Sequence, residues 1–523
     1  MDQYPFSQED LRQIKDHGLT VEEMERQIEL FEMPPPYLRL DRPCKAGDGI
    51  TVIDEKRGQE LTEIFEHEAP KRICLKFVPA SGAASRMFKT LLRYLSRREE
   101  ILREPVAGEA RRGQKDAAEL VTFMDGIRNF AFFNELGSVM KQKGYDVDAL
   151  IGKGEFTEII GFVLTEKGLD YSNLPKGLLK FHYYPGGSRT AFEEHLVEAA
   201  NYVTDQNGTS SLSFTVSQEH MGEFQDLLEK VKSSYEEKYG VVFRESFSIQ
   251  KKSTDTLAVD MDNNPFRRED GGLLFRPGGH GALIENVNDL KGDIIFIKNI
   301  DNVVPDRLKP ETFQWKKIMG GYLITLQKQL FRYMEKLAST PDEKTIEKAM
   351  AFFGEELSQS VPVAVESASP EAKKDFLMGK LKRPIRVCGM VKNVDEPGGG
   401  PFWVKDEAGE SSIQIVETAQ MDPGSEEQQN IFAASTHFNP VDLVCGLRDW
   451  KGRPFDLRKY VDPKAVFISG KSKEGRDLKA LEHPGLWNGA MAKWISIFVE
   501  VPRIIFNPVK TVNDLLRKEH QPG

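Results

Sequence analysis

One stretch of the sequence combines small residues with a single arginine. Residues 74–95 read CLKFVPASGAASRMFKTLLRYL, in which strand-forming residues lead into a loop of small residues and a helical pattern follows. Such a loop presents unpaired N–H groups at the start of a helix, and this arrangement suits a phosphate group. A tight turn with close packing of helix on sheet would need the same residue types. The loop consists of Ala80, Ser81, Gly82, Ala83, Ala84 and Ser85, and Arg86 follows it.

A second candidate is a lysine held between a proline and a glycine. In LPKGLLKF, residues 174–181, Lys176 carries a charge among apolar residues, and Pro175 restricts the backbone beside it. On its own, this pattern more often indicates a solvated lysine in a turn than a functional lysine. Downstream, Thr190 and Glu193 have the spacing of a capping box, which predicts that a helix starts there.

A glycine-rich loop lies farther along the chain. In FRPGGHGAL, residues 275–283, three glycines surround a histidine ahead of a helical pattern. Glycine lets a backbone approach another group closely, and we interpret the loop as a surface on which a flat nucleobase lies. Its residues are Gly278, Gly279, His280 and Gly281. A catalytic role for the histidine is not favoured, because no serine or cysteine nucleophile with a matching context accompanies it.

Polar residues stand where an apolar strand pattern ends. In IFIKNIDNVVPD the apolar run is followed by Asn299, Asp301 and Asn302. Ligands bind at the carboxyl ends of strands in open parallel sheets, and a carboxylate there suits a magnesium ion that bridges phosphates. We therefore predict a metal site at Asp301, although such residues also simply begin loops. Asp260 and Asp262 form a D-x-D pair, a second but less favoured metal candidate because it falls on a predicted hairpin.

Composition narrows the classes of protein. The chain has 523 residues, of which 39% are hydrophobic and 29% charged, as in ordinary globular proteins. A formal charge of -10 argues against a dedicated nucleic-acid binder. The first residues lack the pattern of a signal peptide, and charges and a proline interrupt the most apolar late stretch. We therefore predict a cytoplasmic protein that does not span a membrane, with 4 cysteines that are reduced and packed.

Strand and helix patterns alternate in the middle of the chain. SSLSFTVS, VVFRESFSIQ and DIIFIKNI are predicted strands, and EHMGEFQDLLEKVKSSYEEKYG is predicted to be a helix that ends at Gly240. This alternation predicts a mixed α/β fold with a mainly parallel sheet that is covered on both faces. We expect a helical region at residues 1–70 and an α/β domain at 71–380 with a helical insertion at about 96–168. Residues 381–523 are expected to form a C-terminal β-rich domain with a helical tail after about Gly485.

In their order along the chain, the four sites resemble those of the UDP-sugar pyrophosphorylase branch of the nucleotidyltransferases. In this resemblance ASGAASR corresponds to the family's glycine-rich loop and LPKGL to its phosphate lysine, while PGGHG corresponds to the nucleoside loop and NIDN to the magnesium-binding segment. The resemblance covers roughly residues 72–306. About ninety residues separate Arg86 from Lys176, where a short gap is expected, and an insertion of that kind can loop out. The whole chain is also similar to a bacterial family that carries only a domain-of-unknown-function label.

The resemblance implies a fold, a reaction and a set of contacts. The fold is that of the nucleotide-diphospho-sugar transferases, which is GT-A-like and Rossmann-like. The reaction joins a nucleoside triphosphate, with UTP favoured, to a sugar 1-phosphate with release of pyrophosphate, and Mg²⁺ is the cofactor. Arg86 and Lys176 are then catalytic. The segment QKKSTDTLAVD implies substrate contacts at Thr254 and Asp255, and Asn299 is a third.

Two other functions fit the same residues. A glycosyltransferase of this fold would use Asp260 and Asp262 and would consume a nucleotide sugar. A catalytically inactive nucleotide-sugar-binding protein would bind its ligand without releasing pyrophosphate, and Ala84 and Ser85, which depart from the family's loop, favour that alternative. The sequence does not define the sugar or the oligomeric state. It also leaves open whether NVDEPGGGPFW, residues 393–403, closes over a sugar or forms a β-turn.

Overall fold

The structure, a computed structural model, describes residues 6–34, 37–97, 99–393 and 399–523. About half of the glycine run at residues 393–403 therefore lies outside the described residues. The chain divides into two units, each assembled from three segments. Unit 1 comprises Met1–Leu75, Ser248–Ile297 and Lys317–Pro502, and unit 2 comprises Lys76–Phe247, Lys298–Lys316 and Arg503–Gly523.

Side-chain caps begin several of the helices. The hydroxyl of Thr190 accepts a hydrogen bond from the N–H of Glu193, whose carboxylate accepts one from the N–H of Thr190, so the predicted capping box is confirmed. The helix predicted to end at Gly240 does so, with that glycine at a φ of 65°. The α-helices are α1 Gln8–Asp16, α2 Val21–Glu32, α3 Glu55–Glu68, α4 Lys89–Ser96, α5 Arg103–Arg111, α6 Lys115–Gly126, α7 Phe133–Gln142, α8 Val147–Lys153, α9 Thr157–Leu164, α10 Ala191–Tyr202, α11 Met221–Tyr239, α12 Ile284–Asp289, α13 Lys309–Leu337, α14 Glu343–Ala351, α15 Val363–Glu366, α16 Pro370–Leu381 and α17 Glu426–Ala433.

Strands form where β-branched and aromatic residues cluster. The strands are β1 Arg39–Pro43, β2 Lys45–Ala46, β3 Gly49–Thr51, β4 Cys74–Pro79, β5 Lys180–Tyr184, β6 Gly187–Thr190, β7 Thr209–Thr215, β8 Val242–Ser248, β9 Thr256–Leu257, β10 Phe275–Arg276, β11 Ile294–Lys298, β12 Ile385–Lys392, β13 Gly400–Lys405, β14 Ser411–Val416, β15 His437–Phe438, β16 Asp442–Gly446, β17 Phe467–Lys473, β18 Arg476–Glu482 and β19 Ile495–Glu500. The three predicted strands correspond to β7, β8 and β11, and every residue of β11 is buried, as its continuous apolar run indicates.

Unit 1 is built on a sheet with the strand order β2-β3-β19-β12-β16-β11. The pairs β2/β3, β3/β19 and β19/β12 are parallel, and β12/β16 is antiparallel. A separate antiparallel sheet, β1-β13-β14, and the hairpin of β17 and β18 belong to the same unit. In the part of the chain that the structure describes, no helix is both long enough and apolar enough to cross a membrane.

This arrangement differs from the expected separate domain after residue 381. The strands β12, β16 and β19 lie in one sheet with β3 and β11, so the late part of the chain completes a sheet that earlier segments begin. The described residues after Gly485 contain no α-helix, and the expected helical tail is instead the strand β19 followed by 3-10 turns. The sequence ISIFVE favours a strand, and Pro502 and Pro508 interrupt any helix that follows. The region expected to be helical at residues 1–70 likewise includes β1, β2 and β3.

Unit 2 contains the strands that lead to the predicted phosphate loop. The strands β4 and β7 pair in parallel, with Lys76 opposite Leu212, and β8 lies beside β7. Most of the residues expected to form a helical insertion lie in α5 to α9, and α10 is almost entirely buried. With the parallel pairs of unit 1, these strands confirm a mixed α/β fold with a mainly parallel sheet.

Candidate functional site

The loop of small residues and the Pro-Lys-Gly segment lie side by side in unit 2. The N–H of Ala84 donates to the carbonyl of Leu174 at 3.1 Å, and the N–H of Lys176 donates to the carbonyl of Gly82 at 3.1 Å. These two hydrogen bonds form a short antiparallel bridge between Ala83 and Pro175. The residues between the two segments loop out, so two segments that are about ninety residues apart in the sequence are in direct contact.

The loop keeps backbone donors free. The N–H groups of Ser81, Gly82 and Ala83 make no hydrogen bond within the described residues. A Cβ atom added at Gly82 would meet no other atom within 4 Å, so this glycine faces open space. The 3-10 turn Ala84–Arg86 follows, and the side chain of Arg86 is exposed. Free, adjacent N–H groups beside a short helical turn are suited to an anion.

A carboxylate held by two lysines lies just beyond the end of β11. Lys176 Nζ donates to Asp301 Oδ2 at 2.9 Å, and Lys510 Nζ donates to the same oxygen at 3.1 Å. Lys176 also donates to the carbonyl of Val509 at 2.8 Å. The side chains of Asp301 and Lys176 are 8% and 12% exposed, whereas that of Lys510 is 60% exposed. Two of the predicted site residues, one of them paired to the small-residue loop, are therefore brought together by the fold.

The electrostatics keep this carboxylate ionised. Burial raises the pKa of Asp301, but the ammonium groups of Lys510 and Lys176 outweigh it and hold the pKa below its usual value. The second oxygen, Oδ1, is buried and has no hydrogen-bond partner within the described residues. An unpartnered buried carboxylate oxygen costs free energy unless a ligand satisfies it. The site therefore has an acceptor that is free to bind a cation.

Lys510 is the residue that sequence reasoning missed. It lies more than 200 positions beyond Asp301, in a stretch expected to be a helical tail, and nothing in its local pattern marks it as functional. A weak signal was present in the capping-box spacing of Thr511 and Asp514, which is formed in the structure. That spacing indicates an ordered turn directly after the lysine.

Two buried carboxylates of α10 support the segment that carries Asp301. Glu198 accepts from Lys76 and from Lys298, the last residue of β11, each at 2.7 Å. Glu194 accepts from Tyr184 at 2.7 Å and pairs with Lys309, the first residue of α13. Because these carboxylates are fully buried and fully paired, they fix both ends of the stretch from β11 to α13.

Asn299 and Asn302 flank Asp301 in that stretch. The carbonyl of Asn299 accepts the N–H of Asn302 at 3.2 Å, which closes a turn. The side-chain oxygen of Asn302 accepts the N–H of Asn507 at 3.0 Å. Asn302 is therefore occupied in holding the segment that delivers Lys510, and Asn299 remains half-buried next to the turn.

The Gly-Gly-His-Gly loop belongs to unit 1 and is filled by the chain itself. A Cβ at Gly278 would lie 2.3 Å from the carbonyl oxygen of Thr254, and one at Gly281 would lie 2.2 Å from that of Pro484. A Cβ at Gly279, where φ is 74°, would lie 2.5 Å from Glu482 Oε2. The glycines are thus required by close contact with the chain's own backbone and side chains. Nucleoside binding by this loop stays a prediction.

The histidine of this loop is also occupied. His280 Nδ1 accepts the N–H of Leu486 at 3.1 Å, and its ring stacks on Trp487 with centroids 4.3 Å apart. Burial lowers the pKa of His280 to about 4, so the ring is neutral near pH 7. Thr254 is buried and its carbonyl accepts from His483, while burial raises the pKa of Asp255.

The D-x-D pair forms a turn. Asp260 Oδ1 accepts the N–H groups of Asp262 and Asn264, each at 2.9 Å, and Val259 bridges to Pro265 as in a hairpin. The carboxylate of Asp260 is therefore engaged in local structure. Across the described residues there is no group of three or more His, Cys, Asp or Glu side chains that could hold a metal ion.

Several solved structures are similar to this chain. A UDP-glucose phosphorylase from Trypanosoma brucei is 13% identical with a TM-score of 0.45, and the match covers 98% of this chain and 80% of that chain. The uridine diphosphate N-acetylglucosamine pyrophosphorylase from Trypanosoma brucei is 13% identical with a TM-score of 0.44, covering 94% and 74%. The UDP-glucose pyrophosphorylase from Leishmania major, in open and closed structures, is 12% identical with a TM-score of 0.43, covering 98% and 79%. No curated protein matches the sequence. Residues 7–521 match the family described as Domain of unknown function (DUF4301), and the protein therefore belongs to that family, as the sequence predicted.

Proposed function

We propose that the protein is a nucleotidyltransferase that forms a nucleoside-diphosphate sugar from a nucleoside triphosphate and a sugar 1-phosphate. The observation that carries the proposal is the carboxylate of Asp301 between Lys176 and Lys510, with the free N–H groups of the small-residue loop beside Lys176. This arrangement concentrates cations and backbone donors around one ionised acceptor. It is suited to holding phosphate groups.

The proposed reaction needs no strong base. An oxygen of the sugar 1-phosphate, already ionised, forms a bond to the α-phosphorus of the triphosphate. The bond from that phosphorus to the oxygen bridging to the β-phosphate breaks, and pyrophosphate leaves with the electron pair. The barrier comes from bringing two anions together and from charge on the equatorial oxygens. Positioned ammonium, guanidinium and N–H groups lower it.

Each group has a distinct task. The N–H groups of Ser81, Gly82 and Ala83 would hold the triphosphate, and Lys176, largely buried, would fix the phosphate nearest Asp301. Lys510, whose side chain is more exposed than those of Lys176 and Asp301, would reach the incoming phosphate. Arg86 would stabilise the charge that develops during transfer.

The residues at Asp301 fit a magnesium ion that arrives with the triphosphate. Oδ1 is a hard oxygen with no hydrogen-bond partner in the described part of the chain, and Mg²⁺ in such sites takes one or two carboxylates and completes its coordination with phosphates and water. When bound, the ion neutralises phosphate charge. Asp301 is the residue that would hold it. The two lysines share the other oxygen of the carboxylate, so both kinds of contact fit the same side chain.

The choice of base rests on the motif resemblance alone. UTP is favoured because the order of motifs is that of uridylyl enzymes, and the loop Gly278–Gly281, Thr254, Asp255 and Asn299 are proposed nucleoside and substrate contacts on the same ground. The glycosyltransferase alternative receives less support, because the carboxylate of Asp260 is engaged by two N–H groups of its own turn. The alternative of a catalytically inactive binding protein is tested by turnover, because such a protein would release no pyrophosphate with any substrate pair.

The test is pyrophosphate release over a matrix of nucleoside triphosphates and sugar 1-phosphates. We expect at least one pair, with UTP as the nucleotide, to release pyrophosphate in the presence of Mg²⁺. Lys176→Ala should weaken triphosphate binding and slow transfer together, and Lys176→Arg should rescue only partly because a planar fork replaces a point charge. The exposed His67→Ala is the control and should match the wild type.

Two outcomes would contradict the proposal. Thermal stabilisation by nucleotide sugars that survives EDTA, with no turnover for any pair, would indicate an inactive binder. Consumption of a nucleotide sugar that depends on Asp262 and not on Asp301 would indicate a glycosyltransferase.

A further inference from the structure

The segment that carries Lys510 has little regular structure of its own. Residues 503–523 form two 3-10 turns, Arg503–Ile505 and Val512–Leu516, and no α-helix or strand. Its position is therefore set by contacts with the rest of unit 2. A lysine on such a segment reaches Asp301 only as long as those contacts hold.

The first set of contacts lies next to the site. The N–H of Asn507 donates to Asn302 Oδ1 at 3.0 Å, and the N–H of Val509 donates to the carbonyl of Asp301 at 3.1 Å. Lys176 donates to the carbonyl of Val509. These bonds define where the backbone of Lys510 lies, and they join largely buried groups at one end of the segment.

The second contact is a buried histidine at the other end of the segment. His520 is 2% exposed, and its Nδ1 lies 2.9 Å from Nε2 of His182, with the two rings stacked 5.3 Å apart. His182 Nδ1 lies 2.8 Å from Glu194 Oε1. An ionised carboxylate only accepts, so His182 donates from Nδ1 and accepts at Nε2, and His520 donates from Nδ1. In this arrangement both rings are neutral, and Nε2 of His520 is buried without a hydrogen-bond partner within the described residues.

The surroundings favour the neutral rings. Burial, with the neighbouring His182, Arg517 and Arg307, lowers the pKa of His520 to about 3. Burial also lowers the pKa of His182. The other charged groups around the pair are Glu194, Arg189 and Lys309. A proton added to either ring would therefore be buried and would be repelled by nearby cations, namely Arg189, Lys309, Arg307 and Arg517.

We propose that His520 is a positioning residue that fastens residues 503–523 to His182 and so holds Lys510 at Asp301. This inference rests on the proposed function for its effect on turnover, but the docking of the segment can be measured without it. The exposed Arg307 reinforces the same end of the segment by donating to the carbonyls of Lys518 and Gln521. The loss of either anchor should loosen this end of the segment, and the N–H of Val512, which donates to the carbonyl of Met87 at 3.2 Å, is a further contact nearer to Lys510.

The test combines hydrogen exchange with a double-mutant cycle. In His520→Ala, amide exchange in peptides covering residues 503–523 should rise at least about tenfold while the rest of unit 2 keeps its protection. His520→Asn keeps a side-chain donor near Nδ1 and should restore most of the protection, and His67→Ala should change nothing. Unchanged exchange in His520→Ala would overturn the proposal.

The cycle asks whether His520 acts through Lys510. His520→Ala should lower kcat more than it raises KM, and His520→Ala combined with Lys510→Ala should be no slower than Lys510→Ala alone. Losses that multiply in the double variant would overturn the proposal. If the wild type shows no turnover for any substrate pair, the proposed function fails while the exchange result still decides the docking.

The pH dependence separates positioning from simple packing. Because His520 has a lower pKa docked than free, docking should weaken as pH falls below about 6.5, the ordinary pKa of histidine. Amide exchange in residues 503–523, corrected for the intrinsic exchange rate at each pH, should then rise in the wild type and stay flatter in His520→Asn. Parallel pH profiles of exchange in the two proteins would overturn the proposal. If His520→Ala unfolds the whole chain, Arg307→Gln decides: a local rise in exchange supports the proposal and full protection overturns it.

Discussion

Two loops of small residues look alike in the sequence and differ in the structure. In unit 2, a Cβ added at Gly82 would meet nothing within 4 Å, and the neighbouring N–H groups have no hydrogen-bond partner among the residues that the structure describes. In unit 1, Cβ atoms at Gly278 and Gly281 would lie 2.3 and 2.2 Å from carbonyl oxygens of the same chain. Glycine marks a place where something approaches the backbone closely, and only the fold decides whether that is a ligand or the protein itself.

The largest expected effect is at Asp301, whose carboxylate pairs with Lys176 beside the small-residue loop of residues 80–85. Asp301→Asn keeps the volume of the side chain but removes the charge that pairs with Lys176 and Lys510. We expect transfer to fall by about three orders of magnitude, roughly 4 kcal/mol of barrier, and residual activity to need more Mg²⁺. Initial rates of pyrophosphate release against Mg²⁺ concentration measure this. Asp262→Asn is the matched control, and equal losses in both variants would contradict the assignment.

The next largest effect concerns the loop Gly278–Gly281 and its contribution to the free energy of unfolding. Gly281→Ala forces a methyl group against the carbonyl of Pro484 and should lower the free energy of unfolding by about 3 kcal/mol. Gly82→Ala enters open space and should change it by less than about 0.5 kcal/mol. Urea unfolding monitored by circular dichroism compares the two. A stable Gly281→Ala protein would remove the contrast between the loops.

Arg86 tests the small-residue loop of unit 2, and the expected effect is on activity and not on stability. It is exposed at the end of the small-residue loop, so its removal should leave thermal stability unchanged. We expect Arg86→Ala to lower kcat about a hundredfold, since a group that stabilises charge in the transition state is lost. The nearby exposed Lys89→Ala should behave as the wild type. Full activity of Arg86→Ala, or loss of its fold, would assign the arginine to packing.

The smallest expected effect concerns the histidine in the filled loop. Burial lowers the pKa of His280 to about 4, so the unfolded chain binds a proton more readily below pH 6.5. Stability should therefore fall as pH decreases from about 6.5 to 4, and His280 should account for about 1 kcal/mol of this at pH 5.5. His280→Asn keeps an acceptor for Leu486 and should lose that part of the dependence. Identical pH profiles of unfolding would show that the ring is not buried as described.

Much of the local structure could be predicted. The apolar run of β11, the helix that ends at Gly240 and the capping box at Thr190 are all present, because alternation, caps and left-handed glycines act over a few residues. The same short-range signals picked Lys176 and Asp301, which the structure places in contact. Their roles in chemistry remain predictions that the variants above test.

The expectation for residues after 381 failed for a physical reason. The sequence predicted β structure from about residue 381 but a helical tail where β19 forms, and the choice of partner strand depends on register and burial over hundreds of residues. Both strands are almost wholly buried, so each could fill a central place in a sheet, and the fold put β19 between β3 and β12. A pattern that is apolar throughout does not say which sheet it completes.

The sequence by itself determined where the buried strand β11, the helix end at Gly240 and the two small-residue loops occur in this protein. Only the tertiary structure decided that Lys510 meets Asp301, that His520 meets His182, and that the glycines of the second loop face the chain's own carbonyls. Hydrogen bonds within a helix or turn link residues three or four apart and leave a local trace in the sequence. Ion pairs and close contacts between distant segments leave none, because they depend on how the whole unit packs.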